Sequence, residues 1–288
     1  MLSSLRRNAR VGLREIALAL ALALSSASAS EPTAPLRATP DGRPLVLSFS
    51  DEFNTFRRFD GRSGVWRTTY GDGTQEGLDR RSLPTNGELE LYVDPDVLGL
   101  NPFTIRDGIL EITAQPTPPD LRWRLNNYAY MSGIITTQPS FSQTYGYFEI
   151  RAKLPAGKGL WPAFWLLPAD QTWPPEIDVL EVLGDNTAKL YTTVHYGKNN
   201  TSKGIDNIVP DMSAAFHTYA VDWRPDTITW YFDGREVFKA PTPPDMHKPM
   251  FLLANLGVGG TWPGAPDAST HFPAKYMIDY IRAYRFAP

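Results

Sequence analysis

From Leu45 onward the chain is a succession of short apolar or alternating runs closed by turn residues, and no stretch keeps a helical period beyond two turns. Such runs occupy 45–49, 108–114, 146–154, 164–167, 177–183, 190–196, 216–223, 227–232, 250–256 and 277–286. The 26 prolines and 22 glycines are scattered between them rather than repeated, which suits many short strands and argues against a collagen-like or linker protein. Asp233-Gly234, set between 227–232 and 236–238, is a tight-hairpin signal. The expected architecture is all-β: an antiparallel β-sandwich of jelly-roll type, in a single domain over 45–288.

The segment ahead of this domain reads differently. Arg6, Arg7, Arg10 and Arg14 make a basic stretch, 16–24 is a short apolar run, and the small residues 25–30 offer Ala27-Ser28-Ala29 as a cleavage point. A membrane anchor needs about 18 uninterrupted apolar residues. This run is shorter, so 1–29 are expected to be a cleaved secretory signal and 30–44 a loosely held Pro/Ala-rich leader. The expected location is the bacterial periplasm or the medium, with no membrane attachment after cleavage. Losing four arginines and Glu15 moves the net charge from −3 to −6. No basic stripe remains, which argues against nucleic acid as a partner. With no cysteine the chain has no disulfide, thiolate nucleophile or cysteine-ligated metal. His217, His247 and His271 lack zinc-ligand spacing.

Three acids in six residues, Glu176-Ile177-Asp178-Val179-Leu180-Glu181, stand in a segment otherwise made of β-formers. Side chains alternate along a strand, so Glu176 and Asp178 share a face and Glu181 points away unless a β-bulge turns it back. Without the bulge Glu181 lies among apolar neighbours at considerable cost. Converging carboxylates raise one another's pKa. A retaining glycosidase uses such a pair, a nucleophilic carboxylate and a protonated acid about 5–5.5 Å apart. An acidic patch or a calcium site is the plainer alternative, although calcium loops place Gly and Asn, not Ile, Val and Leu, between their acids.

Sugar rings stack their C–H faces on flat aromatics. Trp161 and Trp165 fall on one face of a predicted strand with Ala163 between them, while Phe164 and Leu166 point to the core; Trp262 sits in a Gly/Pro-rich loop. Any one of these tryptophans alone also suits a core. His195, between Val194 and Tyr196, is either a satisfied strand histidine or a site residue. In 147–153 the even positions face the core, and Tyr147, Glu149 and Arg151 line the opposite face, which is either solvated or functional.

The run at 176–181, together with Gly159-Leu160-Trp161-Pro162-Ala163-Phe164-Trp165-Leu166-Leu167, resembles glycoside hydrolase family 16, which includes laminarinases, lichenases, agarases and κ-carrageenases. Thr193-Val194-His195-Tyr196, Asn255 with Gly259-Gly260-Thr261-Trp262-Pro263-Gly264, and 278–284 carry the same resemblance, as do Asp51-Glu52-Phe53 and Asn86-Gly87-Glu88-Leu89. It spans 45–286. The resemblance implies a concanavalin-like jelly roll, with Glu176 as nucleophile, Asp178 as assisting acid and Glu181 as general acid/base. It places Trp161, Trp165, Trp262, His195, Arg151 and Asn255 in the substrate cleft, with Asn86 and Glu88. It implies no cofactor for catalysis and a structural calcium at Glu52, Gly108 and Asp279. The expected partner is a polysaccharide and the expected enzyme a monomer. The N-x-E-L setting of Asn86 and Glu88 points to β-1,3 or mixed β-1,3-1,4 glucan. The stretches Leu167-Pro168-Ala169-Asp170 and Trp173-Pro174-Pro175 are similar to glycanases that trim a bacterial exopolysaccharide of succinoglycan type. A transglycosylase has the same residues with a sugar acceptor in place of water. Binding-only relatives lose the glutamates that this chain keeps.

Overall fold

The computed structural model describes residues 34–71, 78 and 80–288; the expected secretory signal at 1–29 lies outside the described residues. In chain order the strands are β1 (Leu45–Asp51), β2 (Glu90–Tyr92), β3 (Phe103–Arg106), β4 (Ile109–Pro116), β5 (Tyr130–Ser132), β6 (Ile134–Thr136), β7 (Gly146–Lys153) and β8 (Leu160–Pro168). They continue as β9 (Glu176–Glu181), β10 (Lys189–Tyr196), β11 (Thr201–Ile208), β12 (His217–Trp223), β13 (Thr227–Phe232), β14 (Arg235–Pro241), β15 (Met250–Val258) and β16 (Ala274–Phe286). Among the described residues the helical elements are three short 3-10 turns, and none is long and apolar enough to cross a membrane.

Two sheets result. One runs β14-β13-β12-β7-β16-β4-β5-β2, with β1 beside β16 and β3 beside β4; the other runs β11-β10-β9-β8-β15-β6. Pairing is antiparallel except between β2 and β5, which run parallel over three residues. The expected hairpin forms at Asp233-Gly234, where φ is 47° and 73°. Two positive φ values in a two-residue loop are the type I′ geometry that matches strand twist.

The main core fills the space between the sheets. Phe148, Ile150 and Ala152 of β7 enter it from one side, and Leu160, Phe164 and Leu166 of β8 from the other. Period-2 alternation thus leaves each sheet a second face. On the ten-stranded sheet part of that face is covered by the segment 36–45. Leu36 N–H donates to Tyr284 Oη (3.1 Å), Leu45 N–H to Arg37 O (2.9 Å), and the Arg43 guanidinium lies 4.0 Å from the Phe286 ring centre. The Pro/Ala-rich leader is therefore anchored from Leu36 on, not loose, because its backbone finds partners on the rims of β1 and β16.

Candidate active site

The outer face of the six-stranded sheet floors a cleft of about 790 Å³. Its centre is the β9 bulge. On β8, Trp165 faces Asp178 and Phe164 faces Leu180, which leaves Val179 unpaired; on β10, Thr193 faces Asp178 and Tyr191 faces Glu181. One strand spends an extra residue over the same length. Val179 and Leu180 both enter the core, and Glu176, Asp178 and Glu181 all reach the cleft. From the opposite sheet, Trp230 Nε1 crosses the core and donates to the Asp178 main-chain oxygen (2.8 Å). That bond pins a carbonyl at the bulge, where the ladder is broken.

His195 of β10 stands opposite Glu176. Its Nε2 lies 3.3 Å from Asp178 Oδ2 and 4.0 Å from Glu176 Oε1, and its Nδ1 is 3.3 Å from Asn200 Oδ1. Both ring nitrogens face acceptors, the environment of an imidazolium. Burial opposes that charge, but the Asp178 hydrogen bond and the charges of Asp178 and Glu176 outweigh it and lift His195 to about 9. Burial, then the charge of Glu181, raises Asp178 to about 6 against the pull of His195. Glu176 is pushed up by burial and by Asp178, while His195 and the Trp173 indole N–H, donating to its Oε2 at 2.7 Å, favour its ionised form. Glu181 is lifted to about 8 by burial and the charge of Glu176, against an N–H donated by Trp161 at 3.1 Å. Burial and mutual repulsion thus favour a proton on Glu181 at neutral pH, and the Glu176–Asp178 pair, itself pushed up, sits beside a cation.

The aromatic residues fall as the alternation requires. Trp161, Ala163 and Trp165 line the cleft, whereas Phe164 and Leu166 are core. Trp262, 42% exposed, packs edge-on against Trp161 (centroids 5.4 Å apart) and Tyr191 (4.8 Å). Trp165 is mostly covered, and its Nε1 donates to Asn255 Oδ1 (2.8 Å), whose Nδ2 donates to Tyr92 Oη (3.0 Å). Asn255 lines the cleft but its side chain is spent on orienting Trp165. Asn86 and Glu88 line the far wall, joined by an Asn86 Nδ2 to Glu88 Oε1 bond of 3.0 Å.

Two expectations need correction. Arg151 lies on β7, in the ten-stranded sheet, and its side chain pairs with Asp279 and covers Phe216 rather than reaching the cleft. Neighbouring Ile150 and Ala152 point to the core, so period 2 sends Arg151 to the sheet face away from the catalytic acids. The expected calcium ligands are also committed elsewhere. Arg282 binds both oxygens of Glu52 (2.9 and 2.7 Å), and Arg151 neutralises Asp279, while the Glu52 carbonyl merely lies beside Gly108. As arranged, these side chains do not form a calcium donor set.

Other residues of the cleft escaped the sequence reading. Trp173, 56% exposed and bonded to Glu176, was legible only as part of a Trp-Pro-Pro stretch; an aromatic in a short loop three residues before the acids was its available signal. Arg80 and Asn200, which line the cleft, and Tyr191, which packs against Trp262, had no local signal, since pairing and loop return bring them in. Trp230 was hidden in an ordinary apolar strand.

Similarity to known proteins agrees with this geometry. The family model for glycosyl hydrolases family 16 matches residues 103–282. The chain is 43% identical over 252 residues to the endo-1,3-1,4-beta-glycanase ExsH of Rhizobium meliloti, covering 86% of this chain and 53% of that protein. It is 35% identical to a beta-glucanase of Rhodothermus marinus, over 70% of this chain and 75% of the relative. The laminarinase catalytic domain of Thermotoga maritima superposes with a TM-score of 0.71 at 33% identity, covering 85% of this chain and 99% of the other. The chain thus spans about half the length of ExsH but nearly the whole of a solved catalytic domain. It belongs to glycosyl hydrolases family 16.

Proposed function

We propose that this chain is a retaining endo-β-glycanase that hydrolyses internal β-1,3 or mixed β-1,3-1,4 linkages of a glucan. The observation that carries this reading is the bulge, which sets an acid that holds its proton to about pH 8 beside a carboxylate pair backed by an imidazolium. Glu176 attacks the anomeric carbon while Glu181 protonates the departing oxygen. Glu181, now ionised, takes a proton from water, which releases the sugar from Glu176 with the original β configuration. Asp178 shares a proton with Glu176 and holds its orientation. Trp161, bonded to Glu181, and Trp262 beside it offer ring faces next to the proton donor. Carboxylates and water suffice for these steps. The likeness to an endo-1,3-1,4-beta-glycanase and to a laminarinase supports the linkage.

A second reading, a glycanase acting on an acidic bacterial exopolysaccharide, is favoured by the guanidinium of Arg80 on the cleft wall. Purified enzyme assayed on laminarin, lichenan, agarose and acidic exopolysaccharide separates the two. Oligosaccharide release from laminarin or lichenan supports the glucan reading. Release confined to the acidic polymer supports the second, and longer products with added oligosaccharide indicate transglycosylation. Export rests on the segment 1–29, and N-terminal sequencing of secreted protein should begin near Ser30.

A further inference from the structure

Glu90 opens β2 with a side chain wholly removed from solvent. Its Oε2 accepts the Val258 N–H (2.8 Å), and its Oε1 is buried with no donor facing it. Among the described residues no Lys, Arg or His pairs with it; its titratable neighbours are Glu88, Tyr70 and Tyr92. Glu88 is within hydrogen-bonding reach, and two carboxylates bond only with a proton between them. Glu88 already accepts from Leu83 N–H (3.2 Å) and Asn86 Nδ2 (3.0 Å), which leaves Glu88 as the acceptor of the pair and Glu90 as the donor.

Two walls of the cleft meet at this pair. Leu89 N–H donates to Val258 O, and Thr261 N–H to Asn86 O, each at 2.8 Å. The first wall carries Asn86 and Glu88; the second leads from Val258 to Trp262, which packs on Trp161 beside the acid/base. We infer that Glu90 is a positioning residue, a neutral carboxylic acid that donates to Glu88 and accepts from Val258, clasping the Asn86 wall to the Trp262 loop so that both grip one sugar chain. Burial and the charge of Glu88 push its pKa well up, in keeping with the neutral form. The inference relies on the glycanase reading only where KM is measured.

Glu90→Gln keeps one donor and one acceptor in the same shape, whereas Glu90→Leu removes both. The infrared difference spectrum of wild type minus Glu90→Gln at pH 7 should show the C=O band of a protonated carboxyl. Glu90→Leu should raise KM for the glucan about tenfold with kcat within about threefold, and should speed hydrogen exchange in the peptide spanning 258–262. Glu90→Gln should restore both. Absence of the infrared band overturns the inference whatever the substrate and whether or not Glu90→Leu folds. A Glu90→Leu enzyme with wild-type KM and wild-type exchange overturns it as well.

Discussion

The two sheets carry charge on their outer faces in opposite ways. On β7 and β16 each carboxylate has its own donor: Arg151 pairs with Asp279, Arg282 holds Glu52, and Glu149 accepts from Tyr280. On β9 and β10 three carboxylates share one face with a single histidine, which lies against two of them, Asp178 and Glu176. Both faces carry a bulge that breaks the period-2 alternation, and both bury charge. The difference is that one face gives every carboxylate its own donor, while the other sets three carboxylates against a single cation, an excess of acid that favours protonation. That excess raises Glu181, as the proposed role of proton donor requires.

Several substitutions press on this contrast. The largest effect belongs to Glu176→Ala, which removes the proposed nucleophile; kcat should fall by about 10⁴-fold or more on every substrate, with the fold retained by circular dichroism. Next, Trp230→Phe removes the donor to the Asp178 carbonyl from 2.8 Å away. Leaving a buried carbonyl unpaired costs about 1–3 kcal/mol, and because the carbonyl belongs to the bulge, kcat should fall roughly tenfold as Tm drops by several degrees. A loss of Tm with unchanged kcat would reduce Trp230 to a core residue. Trp262→Ala should raise KM about tenfold with little change in Tm, since the residue is 42% exposed and packs on Trp161 of the cleft.

Glu181 tests the electrostatics directly. Its folded pKa, about 8, lies above the ordinary 4.5, so the stability it contributes is complete below the unfolded value and is lost as pH rises through about 8. Glu181→Gln escapes that loss. Its stability relative to wild type should therefore grow from pH 5 to pH 9, by on the order of 2 kcal/mol in an open cleft. In wild type, activity should fall with pH through about 8 as Glu181 loses its proton. On the acid side it should fall as the Glu176–Asp178 pair takes up a second proton, with Asp178 near 6. The smallest effect is expected on the other sheet. Arg151→Met combined with Asp279→Asn should change stability by about 1 kcal/mol or less and leave kcat/KM unchanged. A large loss of activity there would return Arg151 to the substrate site.

How much of this was legible in the chain depends on whether the cause was local. The bulge could be read from spacing, because burying Glu181 among Val179, Leu180 and Val182 is costlier than breaking a ladder. Trp161 and Trp165 followed from period 2 in the same way. Arg151 was misplaced because alternation says which residues share a face and nothing about which sheet that face belongs to. The polar strand β11 carries no apolar alternation; it forms because β10 offers its edge over Lys189–Tyr196. β2, β5 and β6 are only three residues each, too short for any period to show. Glu52 and Asp279 looked like cation ligands until folding brought Arg282 and Arg151 against them.

The assignment of nucleophile and acid/base is tested most directly by azide rescue of Glu181→Ala on an activated aryl β-glycoside, which needs no proton on its leaving group. Glu176 should still form the covalent glycosyl-enzyme, and azide, entering where the acid/base carboxylate stood, should restore turnover and release a β-glycosyl azide identified by proton NMR. Release of the α-glycosyl azide would mean that azide attacked the substrate directly because Glu181 is the nucleophile, and the two glutamates would have to exchange roles.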